Sequence, residues 1–222
     1  MPGLNNHRHI LPRRPYTALR TNNQRRRGHA GRRTRLRATF IGRSTMALVD
    51  RVKNILFAPK TEWPVIAGET ATVQSLYTGY IMILAAIGPL VTALMYGVGV
   101  AIVGYAIGLA MVYVMALIAD ALAPRFGGEK NFIRALQLVA YGFTAAWLGG
   151  ILQLIPFLGP LLGLAAVVYS LYTFYLGAPV LRKCAAEKAV GYTIVVVLCG
   201  IGLSIVVSFV LFGLVGGAAM LP

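Results

Sequence analysis

Every charged side chain after Arg43 falls in one of three short clusters, residues 50–69, 120–134 and 182–188, and the runs between them are uncharged. Thr70 to Ala119, Ala135 to Leu181 and Ala189 to Pro222 contain no Asp, Glu, Lys, Arg or His. One helical crossing of a bilayer takes about 20 apolar residues. The first two runs are therefore each long enough to cross and return, and the third crosses once. With the charges held on one side, the pattern predicts five transmembrane helices, over about 76–95, 98–119, 133–154, 158–176 and 192–214.

Composition agrees: 58% of the residues are hydrophobic and 12% charged, with a mean hydropathy of +0.72, far from the balance of a soluble domain. The expected fold class is an all-α integral membrane protein. The formal charge of +15 would suggest a nucleic-acid partner, but residues 1–45 hold twelve Arg and no acid, leaving nine Lys or Arg against six acids in the rest. The charge belongs to the N-terminal segment, and nucleic acid is not the expected partner. That segment, residues 1–45, lacks apolar periodicity and is expected to be a disordered Arg-rich tail or an upstream extension of a chain that begins at Met46. An Arg-rich, acid-free transit peptide and a phosphate- or lipid-binding arm are the other readings. The membrane domain is expected over 46–222.

Between Ala47 and Phe57, Leu48, Val49, Val52, Ile55 and Leu56 recur at helical spacing while Asp50, Arg51, Lys53 and Asn54 take the other side. This pattern predicts a short amphipathic helix stopped by Pro59, lying in the membrane interface beside Trp63. Pro89 should kink the first span. Pro156 and Pro160 should mark a tight reversal between the third and fourth. Gly104 with Gly108, Gly159 with Gly163 and Gly213 with Gly217 repeat at four-residue spacing, which suits close helix packing within the chain or self-association into a homo-oligomer.

Lys and Arg sit only before the first span, between the second and third, and between the fourth and fifth. The positive-inside rule then places the N-terminus in the cytoplasm and the C-terminus outside, in the inner membrane of the cell. Little catalytic chemistry is available. All three His lie in the first 29 residues, so no Ser/His or Cys/His pair can be assembled from the membrane domain. No span carries paired carboxylates at metal-binding spacing, and Cys184 and Cys199 have no metal-site spacing. No enzymatic activity, cofactor or metal is expected. Phe126-Gly-Gly-Glu-Lys130 reads as a turn, since it lacks the other residues of a phosphate loop. Asp120 reads as a solvated helix-end carboxylate near Arg125, or as a lone acid at the mouth of the bundle.

From Met46 onward the chain resembles the bacterial branch of the Yip domain family of Ypt/Rab-interacting-type membrane proteins. The resemblance rests on Arg51-Val-Lys-Asn-Ile-Leu with Pro59-Lys-Thr-Glu-Trp63-Pro-Val-Ile, on Ala119-Asp120-Ala-Leu-Ala-Pro124 with Phe126-Gly-Gly, and on Tyr175-Leu-Gly177-Ala-Pro179-Val-Leu with Lys183-Cys and Glu187-Lys-Ala-Val-Gly-Tyr192. It implies five spans, a cytoplasmic N-terminus and no enzymatic activity. The Rab partner of eukaryotic members does not carry over, because the N-terminal cytoplasmic segment is short here. The expected function is that of a non-enzymatic multi-pass protein acting through membrane lipid or a protein partner at a basic cytoplasmic face. The candidate interaction residues are Glu62, Trp63, Asp120, Arg125, Gly127, Gly128, Arg182 and Lys183. The alternative is a small channel or transporter for a neutral or weakly polar solute, its path opened by Pro89 and the glycines of the second span.

Overall fold

A computed structural model describes residues 47–218 of the chain, with side chains through 209. The Arg-rich segment read as a tail lies outside the described residues. Seven helices follow one another, and there is no strand among the described residues: α1 over 47–57, α2 Pro59–Gly68, α3 Val73–Tyr96, α4 Val98–Phe126, α5 Phe132–Leu154, α6 Gly159–Arg182 and α7 Ala186–Ala218. The last five are long and apolar enough to cross a membrane. All five expected spans are present, and the chain is a multi-pass membrane protein.

Local chemistry explains the helix ends. Thr72 and Ser75 exchange side-chain and backbone hydrogen bonds, a capping box that starts α3. That helix carries a π turn at Tyr77–Ile81 and steps at Ala86, three residues before Pro89. A proline cannot donate to the carbonyl one turn back, so the kink expected at Pro89 is where backbone bonding fails. Gly97, at φ 94°, ends α3 and starts α4, a backbone conformation that side chains rarely adopt. Asn131 caps α5 by accepting from the Arg134 N–H at 3.1 Å.

The segment after the expected proline stop, Pro59–Gly68, is a second helix, α2. Pro59 ends α1 and begins α2, because the first turn of a helix has no use for the missing N–H.

Helix α5 is the axis of the bundle. It packs against α3, α4 and α6, while α7 leans on α4 and α6, and α2 lies on α6. Its most apolar window is 61% buried, against 17–28% for the other four spans, which therefore turn most of their surface outward from the bundle. The core is concentrated toward the end where the charged loops lie. Trp63, Ile66, Ile81, Leu136, Leu138, Phe174 and Tyr192 are fully enclosed there, whereas Leu90, Leu94, Val98, Phe157 and Leu161 near the opposite end are exposed.

Close helix approach occurs at glycines other than those picked by four-residue spacing. A Cβ at Gly104, Gly108 or Gly163 would touch nothing within 4 Å. At Gly177 it would come within 2.6 Å of the Trp63 ring, and at Gly149 within 2.6 Å of Ala166 Cβ. Gly159 alone of the predicted glycines with described surroundings is tight, against the Leu152 carbonyl; the surroundings of Gly213 and Gly217 lie outside the described side chains. Spacing along one helix does not say which face its neighbour covers.

Candidate functional site

At the charged end, two loops close over the bundle: residues 127–131 between α4 and α5, and residues 183–185 between α6 and α7. Their junction is built on Asp120, the last acid of α4. Its Oδ1 accepts from Arg182 Nη2 at 2.7 Å and from the Asn131 N–H at 2.7 Å. Arg182 Nη1 donates to the Asn131 carbonyl at 2.6 Å. The Arg182 side chain is fully buried and Asp120 nearly so. Three hydrogen bonds around one charge pair offset the cost of taking both ions out of water. Arg182 Nε has no hydrogen-bond partner among the described residues.

The backbone repeats the link. The Glu129 N–H donates to the Arg182 carbonyl at 2.9 Å, and the Gly128 N–H to the Ala123 carbonyl at 2.9 Å. A Cβ on Gly128 would lie 2.8 Å from that Arg182 oxygen, so the loop reaches α6 only with glycine there. Gly127, at φ 74°, makes the left-handed turn that aims Gly128 inward. Below the junction, the buried Tyr192 hydroxyl of α7 donates to the Ala119 carbonyl at 2.8 Å, and its ring stacks on Phe174. Thus α4, α5, α6 and α7 are tied within a few residues of one another. Cys184 is buried beside this junction, and that burial pushes its thiol pKa up despite the nearby Arg182 charge.

A second assembly ties α1 and α2 to the bundle. The Arg51 guanidinium is forked between the Glu62 and Glu69 carboxylates and lies 5.7 Å from the centre of the Tyr141 ring. Burial alone would lower the pKa of Arg51, but the hydrogen bond and charge of Glu69 and the charge of Glu62 outweigh it and hold the group above its ordinary value. Arg134 donates to the Ile66 carbonyl at 3.2 Å and to Gln137 Oε1 at 3.0 Å, closing the end of α2. Trp63 is fully buried; its indole N–H donates to the Thr173 carbonyl at 3.1 Å, and its ring fills the space left by Gly177.

All eight residues predicted as an interaction face are accounted for, in two different environments. Arg125, Gly127 and Lys183 are exposed, and Lys183 pairs with the exposed Glu129 at 2.9 Å. Glu62, Trp63, Asp120 and Arg182 are buried, and Gly128 is half-buried against the Arg182 carbonyl. Asp120 is neither solvated nor paired with Arg125. Its partner is Arg182, 62 residues away in sequence. Trp63 is a core residue and not an interfacial anchor. Arg51, Arg134 and Tyr192 complete the two assemblies and were not among the candidates. The acids Glu62 and Glu69 on either side of Trp63, a short helix after Arg51, were the available signal for Arg51.

The order of the segments along the bundle, α2 on α6 and the Gly-Gly turn on the end of α6, brings together the three stretches of sequence that carry the Yip resemblance. A family model for the Yip1 domain matches residues 53–209. The chain belongs to the Yip1 domain family. The matched region starts within α1 and takes in all five spans, so both charged-end assemblies lie almost wholly inside the Yip1 domain. No curated protein and no solved structure matches the chain.

Proposed function

We propose that this Yip1 domain protein is a non-enzymatic scaffold of the inner membrane, its N-terminus and charged end in the cytoplasm and its C-terminus outside, which acts through protein or lipid partners on that face. One observation carries this reading. The Glu129–Arg182 backbone bond and the Asp120–Arg182 ion pair join two loops into a single platform. Exposed Arg125, Lys130, Lys183 and Lys188 stand on that platform. A charged surface on a rigid frame presents its cations in fixed register, which lowers the ordering cost of binding. In this reading the buried candidates, Glu62, Trp63, Asp120, Gly128 and Arg182, position the surface and do not touch the partner.

The test compares wild type with a variant in which Arg125, Lys130, Lys183 and Lys188 are all changed to Gln, each extracted from its native membrane in mild detergent. A protein or anionic lipid recovered with wild type and lost from the variant is the expected result. Equal recovery from both overturns the reading. A reporter fused after Pro222 should behave as external.

A second reading, a conduit for a neutral solute, draws support from a cavity of about 220 Å³ lined by Gly88, Pro89, Gly104, Gly108 and Trp147, where α3 breaks. Solute flux into proteoliposomes that falls on Gly104→Leu would favour it.

A further inference from the structure

The corner where α1 meets α2 lies deep beside the spans. The Leu56 carbonyl, in the last turn of α1, accepts from the Tyr169 hydroxyl of α6. Trp63 of α2 is seated against Thr173 and Gly177, and the Ile66 carbonyl meets Arg134. Helix α2 therefore climbs along α6 from Tyr169 toward the charged end. At the helical rise about 20 Å of axis separates Tyr169 from Arg182, while the hydrocarbon of one leaflet is about 15 Å thick, half of the bilayer core. In a flat bilayer with headgroups level with Arg182, the corner would stand near the midplane.

Yet the corner is charged. Lys53 and Lys60 are exposed on either side of Phe57, itself 85% exposed. Neither lysine enters an ion pair among the described residues, and Glu62 and Glu69 are taken by Arg51. The exposed acid of this hairpin, Asp50, is about 10 Å back along α1. Helix α2 also begins here without a side-chain cap, so the positive end of its dipole adds to the two amines. Uncompensated cations do not persist in hydrocarbon; they draw water and headgroups to themselves.

We propose that this corner is a lipid-binding wedge. Phe57 enters the acyl chains, Lys53 and Lys60 hold the phosphates of anionic lipid, and the headgroups of the leaflet dip beside α6 to reach them. The platform residues Arg125, Lys130, Lys183 and Lys188 take no part, so the inference stands apart from the reading of the charged end.

The neighbours of the corner identify lipid as the occupant. Leu161, Leu164, Val168 and Tyr172 are exposed along one face of α6, and the Tyr172 ring lies 5.9 Å from that of Tyr169. Toward the charged end this surface passes from aliphatic to tyrosine to lysine, the order of a bilayer edge. On α4 and α7, by contrast, Leu117 and Val190 are half exposed within about a turn of Asp120 and Lys188. Hydrocarbon reaches the charged loops there but not at α1 and α2, so the leaflet is thinner on one side of the protein. Snorkelling lysine stems and a local dip of the leaflet share the mismatch.

Phe57→Trp places a reporter at the tip of the full chain, read as the difference from wild type in the same vesicles of phosphatidylcholine and phosphatidylglycerol. Lipids brominated in the acyl chain should quench the added emission, most strongly with the bromines near the headgroup end, and aqueous iodide should not. At equal mole fraction, brominated phosphatidylglycerol should quench with a relative affinity roughly five-fold or more above that of brominated phosphatidylcholine. Adding Lys53→Gln and Lys60→Gln together should abolish that preference and shift the strongest quenching toward mid-chain bromines. Iodide quenching without lipid quenching overturns the proposal, because the corner then stands in water. Quenching by neither does the same, since a protein or a second copy then covers the tip. Strongest quenching at mid-chain with both lysines present shows a corner sunk without a dip, and equal quenching by the two lipids shows no phosphate site; either result is equally fatal. All three positions are exposed, so the variants test contact and not folding.

Discussion

The two ends of this bundle are held by different physics. At the charged end, ion pairs, loop backbone bonds and large enclosed side chains tie all seven helices together. At the other end the spans present Leu, Val and Phe outward and leave two cavities between them. In a bilayer, association of helices gains nothing from hiding apolar surface, because lipid is as apolar as leucine. Specific polar bonds and tight shape matching must do the work; among the described residues every ion pair lies at the charged end, while the far half keeps close contacts at Gly149 and Gly159 and single bonds such as Tyr105 to the Met82 carbonyl. The charged end is the clamp; the far half is free to be shaped by lipid.

The sharpest way to break that contrast is to remove one half of the buried pair. Arg182→Leu should destabilise the protein by about 3–5 kcal/mol, since it leaves the Asp120 carboxylate buried without its partner. Thermal unfolding in detergent would show it. The double variant Asp120→Leu with Arg182→Leu should cost less than the two single changes together, because no charge remains stranded. A double variant as unstable as their sum would show that the pair is not the reason.

Next in size is Gly177→Ala. Its Cβ would enter the Trp63 ring and Leu138 Cδ1 at under 3 Å, and overpacking of this kind costs about 1–3 kcal/mol. The effect should vanish when Trp63 is also changed to Leu, measured by the same melt. Lys183→Gln removes an exposed pair with Glu129 and should shift stability by less than about 1 kcal/mol. Any loss of partner recovery would then be recognition and not folding. Smallest of all, Gly104→Ala in the far half meets no neighbour and should be neutral or stabilising by up to about 1 kcal/mol, through helix propensity alone. Destabilisation there would show that the far half is as tightly specified as the clamp.

Much of this fold can be read from sequence because lipid imposes a one-dimensional code. Three uncharged runs became five spans, and no boundary moved by more than about two helical turns, since apolar length is what the bilayer measures. Pro89 and the Pro156–Pro160 reversal were equally legible, because proline acts on its own backbone. The charged-end assemblies were legible only in part: Glu62, Trp63, Asp120, Gly128 and Arg182 stood among the candidates, and Arg51, Arg134 and Tyr192 did not. Asp120 and Arg182 both stand at the ends of apolar runs on the charged side, yet nothing in their neighbourhoods says that one lies against the other. The same reason hid the core position of Trp63. Its cavity is supplied by Gly177, and a glycine inside an apolar helix looks like any other until the opposing side chain is known. Local rules predicted local geometry; pairings across the bundle required the fold.

The docking of Trp63 on Thr173 also has a consequence in time. The two residues are 110 positions apart, and a ribosome takes about 5–20 seconds to add that many residues. For that interval after Trp63 is made, α2 has no groove to enter, although Arg51, Glu62 and Glu69, all close to it in sequence, can already pair. The N-terminal part of the Yip1 domain must therefore wait beside the membrane through the synthesis of three spans and most of a fourth, and its large apolar ring must be sheltered by something other than its final partner until α6 arrives.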